Sequence, residues 1–175
     1  MKLNLGSGYT EMIGNDWINV DIFPGATNVH VITDLNKPWP FKDNSVWEIY
    51  ANNVFEHLDD PIFTMYQAWR VLKPLGFLRI ICPSTNGEGA WQPVHKSFWN
   101  MGTFQVFVKN PPEGINPGSW AWFGSFYGLQ WYFNAHDIHE IRIPYGNTPY
   151  MPYVIAELRK PRDSGYYPMK VDAPQ

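Results

Sequence analysis

Residues that suit a nucleoside-binding site occur early in the sequence, as a glycine turn and two acids. Gly6-Ser7-Gly8 follows a short apolar segment, and Asp21 and Asp34 each end one of the next two. Glycines let the backbone turn sharply and come close to a ligand. A carboxylate such as Asp21 can accept two hydrogen bonds from a ribose diol, and Asp34 could hold an adenine amino group. A plain tight turn at the glycines is the alternative interpretation.

The spacing of the glycines disfavours a dinucleotide. A dinucleotide-binding fingerprint needs a third glycine three residues after the second, and that position holds Glu11. Without such a helix start, no backbone group neutralises a pyrophosphate. The turn therefore indicates a nucleoside-containing cofactor without phosphates rather than NAD.

Two of the five histidines are candidates for proton transfer. His57 comes just after the fourth predicted strand, and His95 lies in a loop that follows the fifth. Both fall at the carboxyl edge of the predicted sheet, and His is the usual side chain that removes a proton near neutral pH. The alternatives are a helix-start histidine bonded to backbone at His57 and a loop support at His95. Glu56 is expected at the surface, and His30 on an exposed strand.

No metal site is predicted. On a strand, His136 and His139 would point to opposite faces and could not chelate one ion. The single cysteine, Cys82, excludes an internal disulfide and a Cys-cluster zinc site. Its apolar neighbours indicate a small core residue.

The candidate residues are positioned by alternating strands and one clear helix. Asp59-Asp60-Pro61 opens this helix, whose apolar residues recur every three to four positions until Lys73-Pro74. The alternation predicts an α/β fold with a doubly wound, Rossmann-like, mostly parallel sheet that binds its ligand at the carboxyl ends of the strands. The predicted strands of this half are 2–5, 17–22, 29–33, 46–51 and 77–82.

The second half of the chain differs in composition. Residues 83–128 are rich in Gly, Pro and aromatics, with one predicted helix from Ser97 to about Val108. Residues 130–143 and 153–158 predict two closing strands, which form an antiparallel C-terminal pair.

The predicted organisation is one domain over residues 1–162 with an insertion at about 84–128. Residues 163–175 are expected to form a loosely ordered tail. The aromatic block Trp120–Tyr127 suits a lid over a substrate, a cover for bare sheet surface, or a dimer contact.

Composition excludes several classes of protein. The 175 residues are 45% hydrophobic and 17% charged, so a sizeable core can form and disorder is disfavoured. Thirteen Lys and Arg against 16 Asp and Glu give a net charge of −3, without the basic stripe of a nucleic-acid binder. No apolar run approaches the roughly 18 residues of a membrane span. A soluble cytoplasmic protein is expected.

Four ordered motifs resemble those of class I S-adenosylmethionine-dependent methyltransferases that act on small molecules. They are KLNLGSG at 2–8 with WINVD at 17–21, WPFKDNSVWEI at 39–49, NVFEHL at 53–58, and RVLKPLGFLRI at 70–80. The second and third are similar to the family's LPF-x-DNS-x-D-x-I … EHL stretch, and the last to its RVLKPGG-x-L-x-I segment. In addition, HKSFWN at 95–100 resembles a segment that lies beside the active site in some members.

The resemblance implies S-adenosylmethionine as the cofactor and S-adenosylhomocysteine as its product. The glycine turn would contact the amino-acid part of the cofactor, Asp21 the ribose hydroxyls and Asp34 the adenine amino group. Leu35 would meet the adenine ring edge, and Asn53 and Val54 would lie beneath the methionine chain. The complete set of cofactor-binding residues implied is Leu5, Gly6, Ser7, Gly8, Asp21, Ile22, Asp34, Leu35, Asn53 and Val54.

The sequence departs from the family pattern in three places. An acid usually precedes the first glycine and a third glycine follows the second, where this chain has Leu5 and Thr10. Only about nine residues separate Gly8 from the second strand, so the first crossover holds at most one helical turn. The N-terminal helices that often cap the substrate pocket are also expected to be absent.

The implied activity is a metal-independent methyl transfer to the oxygen or nitrogen of a small polar acceptor, with His57 and His95 as catalytic candidates. The alternatives are a degenerate domain that binds S-adenosylmethionine or S-adenosylhomocysteine without turnover, and a nucleotide-sugar or NAD enzyme on a similar sheet. The expected partner is the small-molecule acceptor, with no nucleic acid and no membrane. A homodimer through the aromatic-rich second half is a further alternative.

Overall fold

A computed structural model describes residues 1–9, 12, 14, 16–26, 28–108, 132–145 and 148–162, with the backbone alone at 143–145 and 148–150. The strands in these residues are β1 Lys2–Leu5, β2 Trp17–Asp21, β3 Val31–Ile32, β4 Val46–Asn52, β5 Leu72–Pro83, β6 Asn134–Tyr145 and β7 Thr148–Arg159. They form one sheet in the order β3-β2-β1-β4-β5-β7-β6. The predicted α/β class is confirmed.

The first five strands are parallel, and their order reverses at β1, which pairs with both β2 and β4. Leu5 at the end of β1 is in register with Val20 and with Ala51, and all three side chains are buried. This register brings the carboxyl ends of three strands to one level. The residues that follow them meet at the switch point, where open α/β sheets bind ligands.

The last two strands close the sheet in the antiparallel sense, as predicted. β7 pairs with β5 from Tyr153 to Arg159, and β6 pairs with β7 on its other side. β7 begins at Thr148, five residues before the start that the sequence indicated. Antiparallel pairing with β6 extends β7 beyond the apolar segment, because the hydrogen bonds of the ladder stabilise residues that have no strand signal of their own.

The helix α1 spans Pro61–Val71, and its start is the one predicted. Asp60 is the N-cap, since its carboxylate accepts hydrogen bonds from the backbone N–H groups of Ile62 and Phe63. The helix ends two residues before the predicted Lys73-Pro74, at the point where β5 begins with Leu72. A residue before proline is disfavoured in the helical region, which accounts for the early end.

The helix predicted from Ser97 to about Val108 is shorter in the structure than in the prediction. The observed helix, α2, spans Met101–Gln105 and is capped by Asn100, whose side chain accepts the N–H of Thr103 in a reciprocal capping box. Ser97 is not its cap, because the Ser97 hydroxyl donates to the carbonyl of Phe55, 42 residues away.

The connection from β1 to β2 is irregular in the residues that the structure describes. The side-chain oxygen of Asn19 accepts the backbone N–H of Met12 at 3.1 Å. The backbone N–H of Lys2 donates to the carbonyl of Asp16 at 2.7 Å. The described part of this crossover contains no helix. Thr10 and Glu11 lie outside the described residues.

Three sequence-based predictions fall on residues that the structure does not describe. These are the aromatic block Trp120–Tyr127, most of the insertion beyond Val108, and the tail after Arg162. The lid, cover and dimer alternatives therefore all stay open. In the described part of the chain, no helix has the length and apolar character needed to cross a lipid bilayer.

Candidate functional site

The glycine turn after β1 has the left-handed backbone conformation that glycine adopts more readily than any other residue. Gly6 and Gly8 have φ angles of +57° and +51°. A Cβ atom on Gly6 would collide with the side-chain methyl groups of Val54. The turn therefore packs directly on the segment that follows β4, and position 6 requires glycine for two independent reasons.

Asp21 joins the glycine turn to the end of β2. One carboxylate oxygen accepts the backbone N–H of Gly8 at 2.7 Å, and the other accepts that of Phe23 at 2.8 Å. The residue is only 9% exposed. Because a carboxylate has about four acceptor positions, each oxygen can still accept a hydrogen bond from a ligand hydroxyl.

Asp34 and Leu35 form the next wall, after β3. The Asp34 carboxylate accepts the N–H of Asn36 at 2.9 Å, and Lys37 lies 3.9 Å from its other oxygen. Leu35 is buried, and its carbonyl accepts the indole N–H of Trp39. These contacts hold one acid and one apolar side chain rigidly at the edge of the sheet.

These elements enclose a cavity of about 350 Å³, here called the main cavity. This volume lies in the range that encloses a small-molecule ligand or cofactor. Seven of the ten predicted cofactor residues line it: Gly6, Asp21, Ile22, Asp34, Leu35, Asn53 and Val54. Leu5, Ser7 and Gly8 line an adjoining cavity of about 120 Å³, here called the turn cavity, which Gly6 also borders.

Sequence reasoning missed several residues that line these two cavities. Thr33, Asn36 and Leu58 border the main cavity, and Tyr50 and Asn52 border the turn cavity. Thr33, Tyr50 and Asn52 lie at or next to a predicted strand end, which was the available signal for these three. Asn36 also receives the N–H of Asp59 on its side-chain oxygen, a contact across 23 residues that local sequence does not reveal.

A third cavity, of about 220 Å³ and here called the histidine cavity, brings the two candidate histidines together. Its lining includes His57 and His95, whose ring centroids lie 4.9 Å apart in an edge-to-face arrangement. Asn53 and His57 line both this cavity and the main cavity. The other lining residues are Glu56, Pro83, Gln92, Met151 and Tyr153.

Backbone contacts between two distant segments position these histidines. The 3₁₀ turn Phe55–His57 follows β4, and the carbonyl of Glu56 accepts the N–H groups of Lys96 and Ser97 at 2.7 and 3.1 Å. The ammonium group of Lys96 also lies 2.6 Å from the Asp59 carboxylate. The loop that carries His95 is thus fastened to the turn that carries His57.

The expected surface position of Glu56 is wrong. Its side chain points inward and is 2% exposed, and only its own backbone N–H and the Cys82 thiol donate to its carboxylate among the described residues. Burial raises the pKa of Glu56, whereas its own backbone N–H and the two neighbouring histidines lower it. Local sequence pointed to the surface, because an EHLDD stretch is polar. The loop at 92–97 covers Glu56.

The remaining predicted residues have structural contacts. Cys82 is fully buried, as expected, and both burial and the charge of Glu56 raise the pKa of its thiol. His30 is exposed but lies just before β3, where its ring accepts the N–H of Asn19. His136 packs against Phe77, and the ring of His139 is 2.7 Å from the Asp137 carboxylate.

Comparisons with known proteins agree with this geometry. Residues 7–80 match the family model described as a methyltransferase domain. A search of curated protein sequences finds no significant match.

Several solved structures share the fold. A complex between the Haloferax volcanii Trm112 methyltransferase activator and a methyltransferase matches with a TM-score of 0.61 and 16% identity, covering 91% of this chain and 82% of the other. A SAM-dependent methyltransferase from Aquifex aeolicus matches with a TM-score of 0.53 and 18% identity, covering 90% and 81%. Phosphoethanolamine N-methyltransferase 2 from Haemonchus contortus, in complex with S-adenosyl-L-methionine, matches with a TM-score of 0.58 and 12% identity, covering 91% and 48%.

Residues 7–80 therefore match a methyltransferase domain model, and the described strands have the Rossmann-like fold of the class I methyltransferases. The resemblance to methyltransferases that the sequence motifs indicated is confirmed over residues 7–80, the part of the chain that the family model matches. The cofactor that this resemblance implies is also the one named for the structural neighbours.

Proposed function

We propose that this protein transfers a methyl group from S-adenosylmethionine to the oxygen or nitrogen of a small polar acceptor. The observation that supports this most directly is the shared wall of Asn53 and His57 between the main cavity and the histidine cavity. A methyltransferase must hold donor and acceptor in adjacent sites with a common border. The two cavities have that relation.

The main and turn cavities would hold the cofactor. Asp21 would accept hydrogen bonds from the ribose hydroxyls with its two free acceptor positions, and Asp34 would accept one from the adenine amino group. Leu35 and Val54, both buried, offer apolar surface to the adenine ring and the methionine chain.

The histidine cavity would hold the acceptor. When bound, S-adenosylmethionine supplies an electrophilic methyl group on a sulfonium sulfur, and the protein's part is to align the acceptor atom with it. His57 stands at the common border and His95 deeper in the acceptor side. Both imidazoles would contact the acceptor, and the fastened loop fixes their direction.

A binding domain without turnover is the second candidate function. The described residues between β1 and β2 contain no helix, and Leu5 stands where relatives usually have an acid. Both features reduce the number of polar contacts available to the amino-acid part of a cofactor. Such a domain would bind S-adenosylmethionine and S-adenosylhomocysteine but release no methylated product.

Calorimetric titration followed by a transfer assay separates these functions. Titration with S-adenosylmethionine, S-adenosylhomocysteine and NAD should show binding of the first two only. Transfer of a radiolabelled methyl group is then measured across a panel of hydroxyl, carboxylate and amine acceptors. Binding with no transfer to any acceptor supports the second candidate, and binding of NAD alone contradicts both.

A further inference from the structure

Three side chains in the histidine cavity have the chemistry of metal ligands. A carboxylate oxygen of Glu56 and one ring nitrogen each of His57 and His95 all lie within 4.8 Å of one another. Glu56 is 2% exposed, and its buried carboxylate has only its own backbone N–H and the Cys82 thiol as donors among the described residues. A buried carboxylate with so few donors is costly to ionise, and a cation bound beside it would stabilise its charge.

The two imidazoles are held with their lone pairs available. Nδ1 of His57 is 3.3 Å from the carbonyl oxygen of Val94, and Nδ1 of His95 is 2.9 Å from that of Ala90. A carbonyl oxygen only accepts, so each Nδ1 must carry the proton, and the lone pair of the neutral ring is on Nε2. Metal-bound histidines commonly donate the other ring N–H to a backbone carbonyl in this way.

We propose that Glu56, His57 and His95 bind a divalent first-row transition metal ion such as Zn²⁺. Two imidazoles and one carboxylate form the ligand set of catalytic zinc and non-haem iron sites, which leave coordination positions open. In a tetrahedral zinc site the ligand atoms are about 3.4 Å apart, so the three side chains must close by about 1.4 Å at most. His57 is exposed and has room to make that movement.

The open positions of the metal would face the rest of the histidine cavity. The role of the metal toward an acceptor rests on the proposed function, whereas metal binding itself does not. An acceptor with a hydroxyl or carboxylate oxygen would coordinate there and be polarised. Because ligation uses the same Nε2 lone pairs as proton transfer, the histidines would then act as ligands in place of the predicted general base, and the expected metal independence would not hold.

Metal titration of the chelator-treated protein tests the site. Calorimetry with Zn²⁺ should give one site per chain with a dissociation constant in the micromolar range or tighter. Co²⁺ should give the visible absorption of a nitrogen- and oxygen-ligated ion, and excess Mg²⁺, which prefers oxygen ligands, should not compete. Glu56→Gln and His95→Asn should each weaken Zn²⁺ binding at least tenfold.

His139→Asn is the matched control, because His139 lies beside Asp137 on β6, outside the cavity. This variant should retain full Zn²⁺ affinity. Unchanged binding in both Glu56→Gln and His95→Asn, or loss of binding in His139→Asn, would overturn the proposal. If Glu56→Gln does not fold, as judged by circular dichroism, His57→Asn together with His95→Asn decides the question.

Titration of the same samples with S-adenosylhomocysteine keeps the two proposals separable. Cofactor binding without Zn²⁺ binding removes the metal site and leaves the methyltransferase proposal standing. Zn²⁺ binding without cofactor binding has the opposite consequence.

Discussion

Replacing Asp21 by alanine removes the carboxylate that links the glycine turn, the end of β2 and the main cavity. In the unliganded protein, the variant loses the acceptors for the backbone N–H groups of Gly8 and Phe23, at 2.7 and 2.8 Å. In the proposed cofactor complex, the variant would also lose the acceptors for the ribose hydroxyls. Stability and cofactor affinity should therefore both fall, for different reasons.

The expected loss of affinity follows from the charge of the lost acceptor. A hydrogen bond to a charged group contributes about 1.5–3 kcal/mol. The dissociation constant for S-adenosylhomocysteine should therefore rise by roughly 10-fold to 150-fold. Calorimetric titration measures this change directly, and Asp16→Ala is the control, because Asp16 pairs with Lys2 at the other end of β2.

A thermodynamic cycle separates the ribose contact from displacement of the turn. S-adenosylhomocysteine and an analogue that lacks the 2′-hydroxyl are each titrated into the parent and into Asp21→Ala. If Asp21 binds the ribose, the substitution should weaken binding of the analogue much less than binding of the natural product. Equal losses for both ligands, or an unchanged dissociation constant in a folded variant, would refute the reasoning.

Three other substitutions have measurable outcomes. Gly6→Ala should lower the free energy of unfolding by about 1–3 kcal/mol in urea titrations, because it combines a positive φ with a collision against Val54, and adding Val54→Ala should recover part of the loss. His95→Asn should reduce turnover by about 100-fold or more while leaving cofactor affinity nearly unchanged, whereas His57→Asn should weaken both, since only His57 also lines the main cavity. Burial lowers the pKa of Lys160 to about 8 in the folded protein, while in the unfolded chain it is near 10.5. Between these values the unfolded chain binds more protons, so the free energy of unfolding should gain a rising contribution as pH increases. The free energy of unfolding of the parent and of Lys160→Met is measured at pH 7.5 and 9.5. The difference between parent and variant should shift in favour of the parent at the higher pH, and an unchanged difference would contradict the reasoning.

The strands were predictable from sequence because each buried strand carries its own local signal. The segments at 2–5 and 46–51 are rich in apolar residues. Pairing them in parallel, with Leu5 opposite Ala51, places the glycine turn beside Asn53. Asp21 and Asp34 could be identified for the same reason, since each one follows a strand of the parallel half. The fold and the residues that line the main cavity are thus encoded locally.

The histidine cavity could not be predicted in the same way, because it depends on contacts between distant residues. Glu56 is buried by the loop at 92–97, about 40 positions along the chain, through the hydrogen bonds of its carbonyl with Lys96 and Ser97. In the same region the Ser97 hydroxyl donates to the carbonyl of Phe55, so it does not cap a helix as predicted. Asn100, three residues before Thr103 in a capping-box arrangement, was the better local signal for the start of α2.

The border residues Asn53 and His57 have a thermodynamic consequence. Asn53 turns away from β4 with a φ of +54°, a conformation that asparagine tolerates better than most residues. A ligand in the histidine cavity that shifts either side chain changes the shape of the main cavity as well. Linkage then requires reciprocity: the factor by which such a ligand alters cofactor affinity is also the factor by which the cofactor alters affinity for that ligand. The two sites cannot be adjusted independently.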